Sequence, residues 1–177
     1  MNNIEAELRI LITKEEYDRL LTFFKKNADF IKEDDQETFY LDCKEDLRIQ
    51  RNSYGSKIWL KKGKIHDEIK EEIEIKLESD DFRKLEKLFS NLGYGIAIKW
   101  YRNRLKFNWS GITICLDKTK GYGYILELEK MCSKDEQEIE LAILKEKLKS
   151  LNVELTPTEE FDKKFEYYKQ NWRELIK

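Results

Sequence analysis

Residues Ile4-Glu5-Ala6-Glu7-Leu8-Arg9-Ile10 alternate without a break between an apolar and a fully charged side chain. Strict period-2 alternation makes a β-strand with two chemically different faces. Here the polar face is two acids and a base, with no neutral residue among them. The pattern recurs along the chain. Leu47 and Ile49 alternate with Arg48 and Gln50, and Ile58 and Leu60 with Trp59 and Lys61. Ile73, Ile75 and Leu77 share one face, opposite Lys70, Glu72, Glu74 and Lys76. Arg102, Arg104 and Lys106 fall on one face of the long stretch 96–109, Asp117 ends the returning stretch 112–117, and Glu127 and Glu129 alternate with Leu126 and Leu128. Any fold of this chain must put whole rows of charge on one side of its strands.

Helices punctuate these strands. Thr13-Lys14-Glu15-Glu16 and Ser133-Lys134-Asp135-Glu136 have the capping-box form. The first opens a helix through Tyr17, Leu20, Leu21 and Phe24; the second opens one that runs to about Ser150 and is expected to bury Ile139, Ala142, Ile143 and Leu148. A helix from Ser79 to Gly93 carries Phe82, Leu85, Leu88, Phe89 and Leu92, and a last helix after Pro157 carries Phe161, Phe165, Tyr168, Trp172 and Ile176. The polar residues 28–37 read as a connection. Turns are expected at 53–56, at 63–67 and at Ser110-Gly111, the last suggesting a hairpin. With one proline and no Gly/Ser linker, residues 1–177 read as a single domain.

The balance of 34 basic and 36 acidic residues excludes the strong basic excess of a dedicated nucleic-acid binder. No run of about 18 apolar residues exists, so no transmembrane helix and no membrane partner are expected. The lack of an N-terminal apolar segment and the unpaired set Cys43, Cys115 and Cys132 predict a cytoplasmic protein with reduced thiols, the cysteines serving packing rather than metal binding. The single histidine, His66, has no nucleophile motif to serve. A homodimer is compatible with the chain, but no feature requires one.

Two arrangements satisfy the alternation. In an open sheet the charged faces meet solvent. In a closed barrel whose apolar faces pack outward on the helices, they line a tunnel. The tunnel is favoured by two observations: the polar positions are nearly all Glu, Arg and Lys rather than Thr, Ser or Gln, and the signs are sorted by strand, acids in 4–9, 70–77 and 125–130, bases in 47–51, 57–61 and 102–106. Sorted acids and bases suit one ligand that combines a divalent metal, bound by carboxylates, with several anionic oxygens, gripped by guanidinium groups.

In this order the residues resemble the CYTH family, the triphosphate tunnel metalloenzymes. Its Glu-x-Glu-x-Lys opening is similar to Glu5-Ala6-Glu7-Leu8-Arg9, its Leu-Arg-x-Arg strand to Leu47-Arg48-Ile49-Gln50, its next lysine to Lys61, and its base-x-Glu-x-Glu strand to Lys70-Glu71-Glu72-Ile73-Glu74. Arg102-Asn103-Arg104, Asp117, Gly121, Gly123 and Glu127-Leu128-Glu129 resemble its later motifs. Arg9 departs from Lys, and Gln50 replaces an arginine, removing one phosphate contact. The resemblance implies an α+β fold, an eight-stranded antiparallel β-barrel tunnel with a charged interior and helices packed outside. It implies Mg²⁺ or Mn²⁺ held by Glu5, Glu7 and Glu129 with Glu127 and Asp117 as further ligands or supports of the ligands, a triphosphate-containing small molecule held by Arg48, Lys61, Arg102 and Arg104 with Arg9 and Lys106, and Glu72 and Glu74 as catalytic candidates that balance charge, hold a second metal or orient water. Three activities fit: hydrolysis of the terminal phosphate of inorganic triphosphate, thiamine triphosphate or a nucleoside triphosphate; cyclisation of ATP to cyclic AMP and pyrophosphate; or binding of polyphosphate or a phosphorylated ligand without turnover.

Overall fold

The opening alternation sorts its side chains as two faces of one barrel wall. The computed structural model describes residues 4–62 and 69–177, with the side chains of all of these except 62 and 69–72. In the first strand, β1 (Ile4–Ile12), Ala6, Leu8 and Ile10 are buried on the outside of the wall, under α1 (Lys14–Asn27) and α3 (Gln137–Ser150). Glu5, Glu7 and Arg9 face the opposite way, into the interior.

Seven further strands complete the wall: β2 (Asp29–Leu41), β3 (Asp46–Asn52), β4 (Gly55–Lys62), β5 (Ile69–Leu77), β6 (Ile96–Trp109), β7 (Ile112–Thr119) and β8 (Gly123–Cys132). Their order around the barrel is β1-β5-β4-β3-β2-β6-β7-β8, every neighbouring pair is antiparallel, and the sheet closes on itself. Thus the charged rows do line a tunnel. The seam between β1 and β5 joins Ile4–Ala6 to Glu71–Ile69, whereas β1 pairs with β8 along its whole length.

Local chemistry explains the connections. The Thr13 hydroxyl accepts from the Glu16 backbone N–H at 3.2 Å, and Glu16 Oε2 accepts from the Thr13 N–H at 2.8 Å, which starts α1. Ser110 and Gly111 have φ of 54° and 80°, the positive values that a tight two-residue hairpin demands, so β6 turns straight into β7. α4 (Thr158–Leu175) buries Phe161, Phe165, Tyr168 and Trp172; the Tyr168 hydroxyl donates to the Lys99 carbonyl at 3.0 Å. Gly121 (φ 72°) lies under the end of this helix, where a Cβ would stand 2.6 Å from the Leu175 carbonyl oxygen.

Three expectations are corrected. Residues 29–37 are strand, the first part of the thirteen-residue β2, rather than a connection. Inside a charged tunnel a strand needs no apolar row: Lys32, Asp34 and Gln36 point inward, so polarity on both faces disguises the period. In α3 the buried stripe is Leu141, Leu144 and Leu148, while Ile139 and Ile143 are 62% and 42% exposed. Apolar residues surround this helix, so spacing alone does not select a face. Finally, α2 (Asp81–Asn91) fully buries only Phe82, against Phe39 and Ile49; it lies over β3 and β4, so the outward Ile73 and Ile75 of β5 stay 47% and 56% exposed. The turn expected at 63–67, His66, and the side chains of Lys70, Glu71 and Glu72 lie outside the described residues.

Replacing Thr13 by Ala should lower unfolding free energy by about 1 kcal/mol in urea titrations, the usual cost of a lost N-cap. Gly121→Ala should cost more, on the order of 2 kcal/mol, because the methyl both strains a left-handed backbone and displaces the end of α4.

Candidate active site

The barrel encloses a cavity of about 540 Å³ whose wall is drawn from the inward faces of the strands. Nine basic and six acidic side chains line it among the described residues; Asp117 and Asp46, each bonded to lining arginines, make eight acids, so the bases are almost matched by carboxylates.

Most of these charges belong to one hydrogen-bonded belt. Arg9 Nη2 donates to Glu7 Oε1 at 2.7 Å and Arg9 Nε to Glu127 Oε1 at 2.8 Å. Glu127 Oε2 accepts from Arg104, whose Nε and Nη2 also donate to the two oxygens of Asp117 at 2.7 Å each. Arg102 Nη1 donates to the same Asp117 at 3.0 Å, and Arg102 Nε donates to Gln36 Oε1 at 2.9 Å. Gln50 Nε2 then donates to Gln36 Oε1 at 3.2 Å and to the Thr38 hydroxyl at 2.8 Å. The belt crosses β1, β8, β6, β7, β2 and β3. Strand register sets it up: Arg9 stands opposite Glu127, and Arg104 opposite Asp117.

The remaining expected residues sit around the belt. Arg48 donates twice to Asp46, at 2.6 and 2.5 Å, and its guanidinium lies 4.3 Å from the Tyr40 ring centroid, a cation–π contact. Lys106 Nζ is 3.7 Å from Glu129, and Arg104 Nη1 is 3.6 Å from it. Glu5 and Lys61 line the cavity. Glu74 lines it too, accepting from Lys57 at 2.6 Å, with its side chain 29% exposed. Glu72 stands opposite Lys61 in register, but its side chain lies outside the described residues.

Two neighbouring acids are driven apart in acidity. Burial alone would raise the Glu127 carboxyl, but Arg104, Arg9 and Arg102 outweigh it and hold Glu127 well below the usual carboxylate range. Burial pushes Glu129 up, and Glu127 and Glu5 add to that push against Arg104 and Lys106. Burial and crowding among Glu129, Glu127 and Glu5 are a strain that a divalent cation would relieve. Glu127, Glu129 and the buried Cys115 each offer a donor atom within 4.8 Å of the others. The carboxylates, with Glu5 and Glu7 on the same wall and Glu7 opposite Glu129, fit a hard divalent cation, whereas the soft Cys115 sulfur does not. Cys115 was expected to serve packing; it is fully buried, and its thiol points to Glu129 Oε1 at 3.6 Å.

Several lining residues escape a reading of sequence. Asp34 is 1% exposed and accepts from Gln36 and Asn52, at 2.9 and 2.8 Å. Asp34, Gln36 and Thr38 do alternate, and that spacing is the one signal that marks them. Asp46, the partner of Arg48, lay at a strand start with nothing to distinguish it.

A closed antiparallel barrel with helices outside and a tunnel of paired acids and bases defines the architecture of the triphosphate tunnel proteins. The sequence profile of the CYTH domain matches residues 3–165, and the chain belongs to that family. A Methanocaldococcus jannaschii protein, provisionally named an adenylate cyclase, is 31% identical over 163 residues, covering 85% of this chain and 90% of that one. The solved structure of a Pyrococcus horikoshii protein superposes with a TM-score of 0.69 at 26% identity, over 85% of this chain and 92% of that one. A Hippeastrum protein, provisionally named an adenylyl cyclase and described as having a dominant triphosphatase activity, shares the fold with a TM-score of 0.65 at 18% identity, over 90% and 93% of the two chains. No helix among the described residues is long and apolar enough to cross a membrane.

Removing Asp117 leaves two buried guanidinium groups short of a partner. Asp117→Ala should therefore lose about 3–5 kcal/mol of stability, measured by chemical denaturation.

Proposed function

We propose that the protein is a divalent-metal-dependent triphosphatase that hydrolyses the terminal phosphate of inorganic or organic triphosphates inside its tunnel. The observation that carries this reading is the gathering of nine bases on a concave wall that also brings the carboxylates of Glu5, Glu7 and Glu129 to one side, where Glu7 stands opposite Glu129. A triphosphate carries about four negative charges at neutral pH, and bases held in a low-dielectric site interact with it far more strongly than in water.

In this reading Arg48, Lys61, Arg102 and Arg104 bind phosphate oxygens, with Arg9 and Lys106 at the flanks. Glu5, Glu7 and Glu129 hold Mg²⁺ or Mn²⁺. When bound, the ion would supply charge neutralisation and lower the pKa of coordinated water. Asp117 and Glu127 each accept from two arginines, against one for Glu7, which favours them as groups that aim the bases. Glu74, at the exposed side of the cavity, is the candidate to orient water, with Glu72 beside it in the strand sequence. The three free cysteines suit a reducing, cytoplasmic setting.

The name of the M. jannaschii relative favours a second reading, cyclisation of ATP in the same tunnel. It demands a place for adenine. The aromatic recess beside the belt, lined by Tyr40, Trp59, Trp100, Tyr122 and Phe165, measures about 40 Å³, room for roughly one or two waters rather than a purine. This supports hydrolysis over cyclisation at that end.

Phosphorus NMR of products formed from inorganic triphosphate, thiamine triphosphate and ATP distinguishes the readings. Orthophosphate is expected with Mg²⁺ or Mn²⁺, and none with a chelator. Glu5→Ala/Glu7→Ala should slow release by at least about 100-fold. Cyclic AMP with pyrophosphate would select the cyclase, and tight binding without turnover would select a binding module.

A further inference from the structure

Gln50 stands where the family pattern has a phosphate-contacting arginine, yet it is 4% exposed and fully engaged. Its partner Gln36 has a determined orientation. Arginine has only donors, so the Gln36 atom that meets Arg102 Nε at 2.9 Å and Nη2 at 2.5 Å must be the carbonyl oxygen. The Gln36 nitrogen then points to Asp34 Oδ2 at 2.9 Å, where an acceptor is waiting. The Gln50 atom facing the Gln36 oxygen must in turn be the amide nitrogen, since only a donor fits there. Asp34 and Gln50 thus clamp the two ends of one amide.

The clamp gives Arg102 a different environment from Arg104. Arg104 is bonded to two carboxylates, Asp117 and Glu127. Arg102 is bonded to one, Asp117, and to the neutral Gln36; its 3.9 Å separation from Glu127 is too long for a hydrogen bond. A guanidinium anchored by an amide is held in place while keeping more of its charge for an anion. We propose that Gln50 is a positioning residue: it fixes Gln36 as the neutral acceptor that aims Arg102 at the phosphate chain. Its role toward phosphate rests on a triphosphate being the ligand; its role toward Arg102 does not.

The test is a double-mutant cycle read by calorimetric titration with inorganic triphosphate, together with NMR of the Arg102 Nε–H. Gln50→Leu should weaken triphosphate binding about tenfold, the scale of a hydrogen bond to a charged group. Added to Arg102→Ala, the same change should cost nothing further, because it acts through Arg102. The Arg102 Nε–H should exchange slowly in the unaltered protein and lose that protection in Gln50→Leu. Should that variant not fold, Gln50→Met replaces it, since it keeps the length of glutamine, offers Gln36 no hydrogen and adds no charge, and the same tenfold loss is expected. Wild-type affinity in the folded Gln50 variant, or losses that multiply with Arg102→Ala, overturns the assignment. If the unaltered protein neither binds nor cleaves any triphosphate, the functional reading falls, and the exchange of the Arg102 Nε–H alone decides the positioning role: unchanged protection in Gln50→Leu overturns it, lost protection upholds it.

Discussion

Everything inside the barrel depends on how Asp117 and Glu127 are shared among three arginines. Both carboxylates are essentially inaccessible to solvent, and each meets two guanidinium groups. A buried carboxylate without partners would cost several kcal/mol. With them, its negative charge becomes the frame on which the positive groups are mounted. The arrangement works only because the strands fix which residues stand opposite one another. A guanidinium fork tolerates little error in its approach to a carboxylate, and the pairing of Arg104 with Asp117 across β6 and β7 meets that demand through backbone register alone.

This interior reverses the usual plan of a small domain. Most of the apolar residues that hold the protein together lie outside the barrel, between wall and helices, in clusters around Leu8, Leu126 and Phe24 and around Phe39 and Phe82, whereas Trp100, on the inward row of Arg102 and Arg104, packs with Tyr122, Phe165 and Tyr168 beside the belt. The barrel's centre contributes charge and space instead. Along most of the wall stability and function are therefore carried on opposite faces of the same strands, and no loop is needed to carry the belt. A wall of paired strands gives firmer placement of charged groups than a surface loop would.

How far the chain can be read without coordinates follows from the same inversion. The alternation in β1 and β5, the capping box at Thr13 and the Ser110-Gly111 turn are local signals, and they survive in the structure because local sterics and hydrogen bonds dictate them. The charged rows of Glu5, Arg102 and Glu127 were visible for the same reason. β2 was not, because a strand whose inner face is Lys32, Asp34 and Gln36 and whose outer face includes Glu33, Asp35 and Glu37 has no hydrophobic period to detect. The face of α3 was obscured by too many apolar residues, not too few. Gln36 and Gln50 carry no charge and so drew no attention as a pair. Their importance arises from a cross-strand contact fourteen residues apart in sequence.

One irregularity in β2 shows what such a wall permits over evolutionary time. Between Phe30 and Lys32 the register against β6 shifts, so Phe30 packs outward on Phe107 while Lys32, two residues on, faces the cavity. A slip of one residue exchanges the two faces of everything beyond it. Insertions or deletions of an even number of residues keep charged rows inside, whereas odd ones are tolerated only where a bulge absorbs them. Lineages of this barrel should therefore vary in strand length by pairs of residues, with single-residue changes confined to the hairpin ends and to this bulge.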